Sequence, residues 1–558
     1  MNVGRIVTSP KWDVIVVGSG FGGAVTACRL AERGARVLVL ERGRRWAPAD
    51  YPRAQGDPWI WDQRHPERLH GWLDFRFFGA MGVAQGAGVG GGSLIFANVV
   101  VNAPNGTFAR GWPAEITAHE MEPYYARVAD MLGARRLPEG QLTDRYRLLR
   151  DAASAAGFAS RFRALPLAVT FDPEWNYDLA DPFSGRHSKP WRNAEGMLQG
   201  TCVHCGNCDI GCQVRAKNTL DLNYLARAER LGAEIRPLHF VTRIAEADGG
   251  YRVDFDRISQ GERTPGSESA PRVVLAAGSL GSAELLLRSR DQFGTLPHVS
   301  SFLGRNWSAN ADFLTPARYT ERKVSPTHGP TITCAVDFLD GAEGGAQFFV
   351  EDGGFPDLFH TFAEPASSRG RRTTLLMSAR DLMPGTMSPR HSVALARMNP
   401  TLSPVTRRVG RLMGTGDPLS SMMPWFAQGV DGGDGRLRLG RSRFLPWRRG
   451  LQLQWNVRRS RAVIDAIVAM HRRLSEATGG KVSVPPSWSL FASLVTPHPL
   501  GGCNMGTTAS SGVVNHRGEV FGHPGLYVAD GSIVPRPIGV NPSKTIAALA
   551  ERISELMP

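Results

Sequence analysis

The sequence predicts an α/β fold: a parallel sheet with helices on its faces, joined to a second domain with an antiparallel sheet. Three observations predict it. Near the start, KWDVIVVGSGFGGAVTACRLAERGARVLVLERG passes from an apolar run through a glycine turn and a helical pattern to a second apolar run ending in an acid. Near the end, GLYVADGS and then GVNPSKTIAALAERI give a short buried strand followed by a helix. Between them, segments such as TITCAVDFL (331–339) alternate loosely between apolar and polar residues, as half-buried strands do.

The first unit carries the most information. Asp13 to Val17 is nearly all apolar, as a parallel strand covered on both faces should be. Gly18-x-Gly20-x-x-Gly23 follows, then a helical pattern from Ala24 to Arg33 that Gly34 closes. Ala35 to Leu40 reads as the second strand, ending in Glu41. Gly18 allows the tight turn, Gly20 lets backbone approach a pyrophosphate, and Gly23 lets helix lie on strand. The helix N-terminus faces the phosphate charge, and Glu41 is placed to accept from a ribose. Strand, turn, helix and acid in order make this a Rossmann-type dinucleotide site. An acid where a 2′-phosphate would need a basic reader fits FAD, although the signature alone leaves NAD open.

A second glycine loop, GAGVGGGSLIFAN (86–98), offers the unshielded amides of Gly91 and Gly92 and the hydroxyl of Ser93. It reads equally as a ligand loop or a tight turn. At the far end, Asp530 closes the last strand, and Pro542 stands at the first turn of the helix that follows Asn541. That helix's N-terminal amides suit an anionic ring edge. His498, in TPHPLGGCNMG, and Asn541 bracket this segment as polar candidates for chemistry. A lone histidine between prolines is by default a satisfied core residue, but the glycines around this one favour a site.

Composition sets the outer limits. The chain has 558 residues, 42% hydrophobic and 21% charged, which is ordinary for a globular protein of two or more domains. No signal-peptide pattern precedes the first strand and no apolar run reaches membrane-spanning length, so the expectation is a cytoplasmic protein. The net charge is +14, and its densest run is GRLRLGRSRFLPWRRGLQLQWNVRRSR (435–461). Alternating arginines before LQLQW read as a hairpin with one wet face. A solvated face is the first reading of this run, and transient contact with an anionic membrane surface is the second. Nucleic acid is not expected, because no nucleic-acid fold signature accompanies the charge.

Four of the seven cysteines fall in CVHCGNCDIGC (202–212). Cys202, Cys205, Cys208 and Cys212 follow the C-x2-C-x2-C-x3-C spacing of bacterial ferredoxins, with Gln213 in place of the usual proline. Three readings stay open: a [4Fe–4S] or [3Fe–4S] cluster, a structural zinc, or reduced unliganded thiols. Cys28, Cys334 and Cys503 stand alone and read as small buried hydrophobes.

GSGFGG with Glu41, GVGGGS, VVLAAGSLGSAELLLRS, HPLGGC and GVNP, in this order, resemble the glucose–methanol–choline (GMC) oxidoreductases. The C-terminal wording is most similar to the bacterial cholesterol oxidases of that family. The resemblance implies a discontinuous FAD-binding domain, residues 1–120, 201–310 and 496–558, and a substrate domain, 121–200 and 311–495. It implies that Gly18, Gly20 and Gly23 hold the pyrophosphate and Glu41 the ribose. Gly91, Gly92 and Ser93 would lie along the isoalloxazine, and Val241 would read adenine through its backbone. Gly278 and Ser279 would close the back of the site, Asp530 would meet the ribityl or phosphate, and Asn541 with Pro542 the ring edge.

His498 would be the catalytic base and Asn541 its partner, with hydride transfer from the alcohol carbon to flavin N5. The implied substrate is a bulky apolar alcohol such as a 3-hydroxysteroid, with oxygen, a quinone or an acceptor protein taking the electrons. The cysteine loop is not cholesterol-oxidase-like. It resembles instead the neighbourhood where certain sugar dehydrogenases of the family carry an iron–sulfur cluster. Two alternatives follow: a polar-alcohol dehydrogenase, and a redox relay without catalysis. The segment AQFFVEDGGFPDLF (346–359) is a further candidate for lining the pocket.

Overall fold

The computed structural model describes residues 11–53, 57, 59–356, 420–441, 449–485, 488–489 and 493–558. Its centre is a five-stranded parallel sheet in the order Leu526–Val528, Arg272–Leu275, Val14–Val17, Val37–Leu40, Glu234–Arg236. Val14 stands between Arg272 and Val37, and Val17 between Leu275 and Leu40. All four residues of the first strand are buried, which is why it is apolar on both faces. The second strand begins at Val37, two residues later than its apolar run, because Ala35 and Arg36 carry the turn from the helix Phe21–Glu32. That helix packs against the C-terminal helix Ser543–Leu556. The Arg29 guanidinium donates to both oxygens of Glu551, at 2.7 and 2.8 Å, and the Tyr224 hydroxyl donates to the same carboxylate at 2.7 Å.

The expected antiparallel layer is a six-stranded sheet. Its order is Lys481–Val482, Phe313–Arg318, Met422–Gly429, Phe348–Asp352, Cys334–Asp337, Phe162–Ala164. The helix Val457–Glu476 lies on it. Val463, Ile464, Ile467, Met470 and Leu474 recur at helical spacing and are buried, while the opposite face is largely arginine. Trp425 Nε1 donates to Ser475 Oγ at 2.7 Å, pinning sheet to helix. The strand expected over 331–339 is confined to Cys334–Asp337, because the Thr333 amide donates to the buried Asp352 carboxylate at 2.6 Å.

Smaller sheets complete the frame. Leu494–Thr496 joins Met81–Gly86, Leu73–Phe78 and Ile60–Trp61 in a four-stranded sheet, so residues 494–496 sit on strands from the first part of the chain. A three-stranded antiparallel meander runs from His239 to Ala270. The arginine-rich run forms the hairpin Arg436–Arg441 with Arg449–Gln454, in which Leu437 is buried while Arg436, Arg438 and Arg441 face solvent. Residues 442–448 between its strands lie outside the described residues. Among the described residues no helix is long and apolar enough to cross a membrane.

Candidate active site

A cavity of ≈ 630 Å³ is walled by the glycine turn, the second glycine loop, the antiparallel sheet and the C-terminal segment. Gly18, Gly20, Glu41, Gly91, Gly92 and Val241 line it. So do Gly278, Ser279, Asp530, Asn541, Pro542 and His498. Two of the residues predicted from sequence stand behind this wall. Gly23 meets the Gly18 carbonyl and Ala276, where a Cβ would come within 2.0 Å of the carbonyl oxygen. Ser93 donates to the Gly90 carbonyl at 2.7 Å and accepts from the Leu220 amide at 3.1 Å, so its hydroxyl braces the glycine loop from outside.

One half of the cavity is bare backbone. The two glycine loops touch: a Cβ on Gly91, which has φ of 51°, would lie 2.5 Å from the Gly20 Cα. The helices Phe21–Glu32 and Ser543–Leu556 begin at Gly20 and Pro542 on this wall, and neither has a side-chain cap. Their free N-terminal amides favour negative charge. Glu41 is only 4% exposed, and its carboxylate accepts from the Ser19 amide and hydroxyl and from the Gly43 amide at 2.7–3.0 Å. Asp530 accepts from the Gly278 amide, Ser282, and the amide and hydroxyl of Ser532. Its carboxylate therefore ties the helix Gly278–Leu287 to the last strand. Open helix ends, an amide-lined cradle and a buried carboxylate just after the second strand are features that fit FAD.

The other half is made of side chains. His498 Nδ1 lies 2.9 Å from Asp312 Oδ1, and Thr496 Oγ1 donates to Asp312 Oδ2 at 2.6 Å. Asp312 is 1% exposed; burial raises its pKa and His498 opposes the rise. With Asp312 accepting at Nδ1, the neutral ring carries its proton there and keeps the Nε2 lone pair for a proton from elsewhere. The Phe426 ring stands 6.1 Å from the imidazole.

Asn541 stands beside Glu351 and favours its charged form, while Asn541 Oδ1 and Glu351 Oε1 are both buried without a partner. Glu351 is fully buried and accepts from Gln428 Nε2 at 2.6 Å. Burial first, and then the neighbouring Asp352, push its carboxyl well above the usual carboxylate range. The arrangement pairs a base with a buried carboxylate, and a carboxamide with a carboxyl that favours its neutral form. Sequence reasoning missed both acids. Their only signal was a charge inside an otherwise apolar strand pattern, in NADFL and in AQFFVED. Residues 357–359 of the second segment lie outside the described residues.

Cys202, Cys205, Cys208 and Cys212 are gathered in one loop, all as free thiols. Among the described residues no three His, Cys, Asp or Glu side chains are arranged to close on one metal ion. Cys28, Cys334 and Cys503 are fully buried elsewhere.

Comparison with known proteins bears on the family and the fold. Models of the GMC oxidoreductase family match residues 189–309 and 445–550, and a model of the NAD(P)-binding Rossmann-like domain matches 16–53. A cholesterol oxidase of Acinetobacter baumannii is 30% identical, over 99% of this chain and 95% of its own length. A cholesterol oxidase of Mycobacterium tuberculosis is 30% identical over 98% and 91%. The crystal structure of pyridoxine 4-oxidase from Mesorbium loti superimposes with a TM-score of 0.60 at 16% identity, covering 98% of each chain, which supports the fold. The chain belongs to the GMC oxidoreductases and is an FAD-dependent alcohol oxidoreductase of that family.

Proposed function

We propose that the chain oxidises the hydroxyl of a bulky apolar alcohol, of which a 3-hydroxysteroid is the model case. The observation that carries the reading is the Asp312-oriented His498 on the wall of a cavity that also presents Phe96, Leu314, Ile332 and Phe426. The cholesterol oxidases at 30% identity support the same substrate class.

His498 Nε2 takes the hydroxyl proton of the substrate while Asp312 holds the ring's orientation and stabilises the imidazolium that forms. Asn541, beside Glu351, orients the substrate oxygen. Bound FAD supplies the two-electron acceptor for the carbinol C–H. The apolar wall excludes water and fills against the substrate's rings. The electrons leave to oxygen or to a redox acceptor.

The test is anaerobic bleaching of the flavin by a panel of alcohols. A sterol is expected to bleach it and glucose is not; the reverse result transfers the reading to a polar-alcohol dehydrogenase. No bleaching by any alcohol would leave a redox relay. His498→Ala and Asn541→Ala are each expected to retain FAD and to slow bleaching by the sterol by roughly 10²–10⁴-fold. Wild-type bleaching in either variant removes that residue from the reaction.

A further inference from the structure

The cysteine loop is built for more than reduced thiols. Besides the four cysteines it has two features that the sequence pattern does not announce. The first is a set of backbone amides aimed at sulfur. His204 N–H points at Cys202 Sγ at 3.4 Å and Ala216 N–H at Cys212 Sγ at 3.2 Å. The Asn207 amide is directed at Cys205 and the Thr331 amide at Cys208. Left-handed backbone at His204, Gly206, Gly211 and Arg215 wraps the loop around these contacts. At Gly211 the turn is obligatory, because a Cβ would lie 2.3 Å from the Tyr51 ring. Each thiol also lies within electrostatic reach of the other three.

The second feature is positive charge. Lys217, 2% exposed, donates to the carbonyls of Cys208 and Leu94 at 2.7 and 3.2 Å. Arg53 donates to the carbonyls of Ile210 and Gly211 at 3.0 Å, its Nε is buried without a partner, and the thiols of Cys205 and Cys212 act on it ahead of Asp57. Cations drawn out of water need nearby negative charge. Asp209 and Asp221 act on Lys217 and Asp57 on Arg53, and the cysteines, as thiolates, would add more on the same side.

We propose that Cys202, Cys205, Cys208 and Cys212 ligate a [4Fe–4S] cluster through one loop, with Lys217 and Arg53 balancing its charge. An oxidised cubane with four thiolates carries a net charge of about −2, and hydrogen bonds to its sulfurs set its potential.

The loop abuts the catalytic cavity. Asp209 and Thr331 line that cavity, Thr331 Oγ1 donates to Asp209 Oδ1 at 3.1 Å, and the Thr331 amide faces Cys208. Lys217 links the loop to Leu94, at the end of the glycine turn Gly91–Leu94. Resting on the proposed alcohol oxidation, the cluster is the outlet for its electrons. Each alcohol oxidised releases two electrons and two protons. The electrons leave one at a time, two molecules of a one-electron acceptor are each reduced once, and the protons go to solvent.

The test uses the full chain purified anaerobically. Iron and acid-labile sulfide are expected at about four each per chain, with a paramagnetic signal on reduction by dithionite and again on addition of the sterol. Absence of iron and sulfide, or zinc in their place, overturns the site. A cluster that dithionite reduces and the sterol does not, while the flavin bleaches, overturns the outlet. A cluster with no bleaching by any alcohol sustains the site and overturns the alcohol reading instead.

Cys205→Ser is expected to lose the signal and the sterol-driven reduction of ferricyanide, while flavin bleaching keeps its wild-type rate. Unchanged ferricyanide reduction overturns the outlet. Lys217→Met keeps the iron and is expected to shift the cluster to a lower potential in a redox titration; an unmoved potential overturns the charge-balancing role. The iron and sulfide assay on the wild type decides the site even if Cys205→Ser does not fold.

Discussion

The two halves of the cavity are built in different ways. The dinucleotide half is backbone: Gly18, Gly20, Gly91 and Gly92 present main chain, and two uncapped helices present amides. The catalytic half is side chain on side chain, with Asp312 behind His498 and Glu351 behind Asn541. A backbone site is specified by residues that are near one another in sequence, because only glycine and tight local turns make it. A side-chain relay is specified by whichever strands happen to face each other. The comparison teaches that binding and chemistry in this protein should fail separately.

The sharpest break is at Asp312. Asp312→Ala removes the acceptor that fixes the imidazole's tautomer, and sterol-dependent bleaching is expected to fall by roughly 10²-fold with FAD content unchanged. Loss of FAD in this variant would show that the two halves are not independent. On the backbone side, Glu41→Gln keeps the shape but removes the charge that accepts from Ser19 and that we propose accepts from the ribose. Charge-assisted hydrogen bonds of this kind contribute about 1.5–3 kcal/mol, so FAD affinity is expected to weaken roughly 10–100-fold while bleaching of the loaded enzyme stays near wild type. Equilibrium dialysis and single-turnover bleaching separate the two effects.

The smallest expected effect concerns stability. Lys544, in the first turn of the C-terminal helix, is buried over the Tyr125 ring, and burial lowers its pKa from 10.5 to about 8 against the pull of Asp130. Below pH 8 the folded chain therefore carries a buried charge that costs stability. Between about 8 and 10.5 the folded form has lost the proton that the unfolded form retains, so stability rises with pH. Lys544→Met is expected to stabilise the protein by roughly 2 kcal/mol at pH 7, with the gain vanishing as pH approaches 10.5. Thermal melts across that range check the sign.

The same division explains what the sequence disclosed. The first strand, the glycine turn and the last helix were legible because their signals are local and redundant. The strand Val37–Leu40 was misplaced only by the length of its turn. His498 and Asn541 stood out for their glycine-rich surroundings, but nothing local marked Asp312, which lies 186 residues before His498 in the chain. Glu351 was hidden for the same reason, as one of two adjacent acids ending an apolar strand. Ser93 was over-read: its hydroxyl is directed at Gly90 and Leu220 and not into the cavity. In the cysteine loop the spacing announced four sulfurs. The cations came from Arg53 and Lys217, one of them about 150 residues upstream, beyond what a spacing pattern can carry.

The strand order has a consequence for biosynthesis. Val14–Val17 is made first, yet one of its two sheet neighbours, Arg272–Leu275, must itself pair with Leu526–Val528, and the cradle is roofed by the helix that starts at Ser543. A chain still on the ribosome therefore shows its dinucleotide fingerprint long before it owns a pocket. One edge of the first strand finds Val37–Leu40 at once, while its other edge waits for a partner translated more than two hundred residues later.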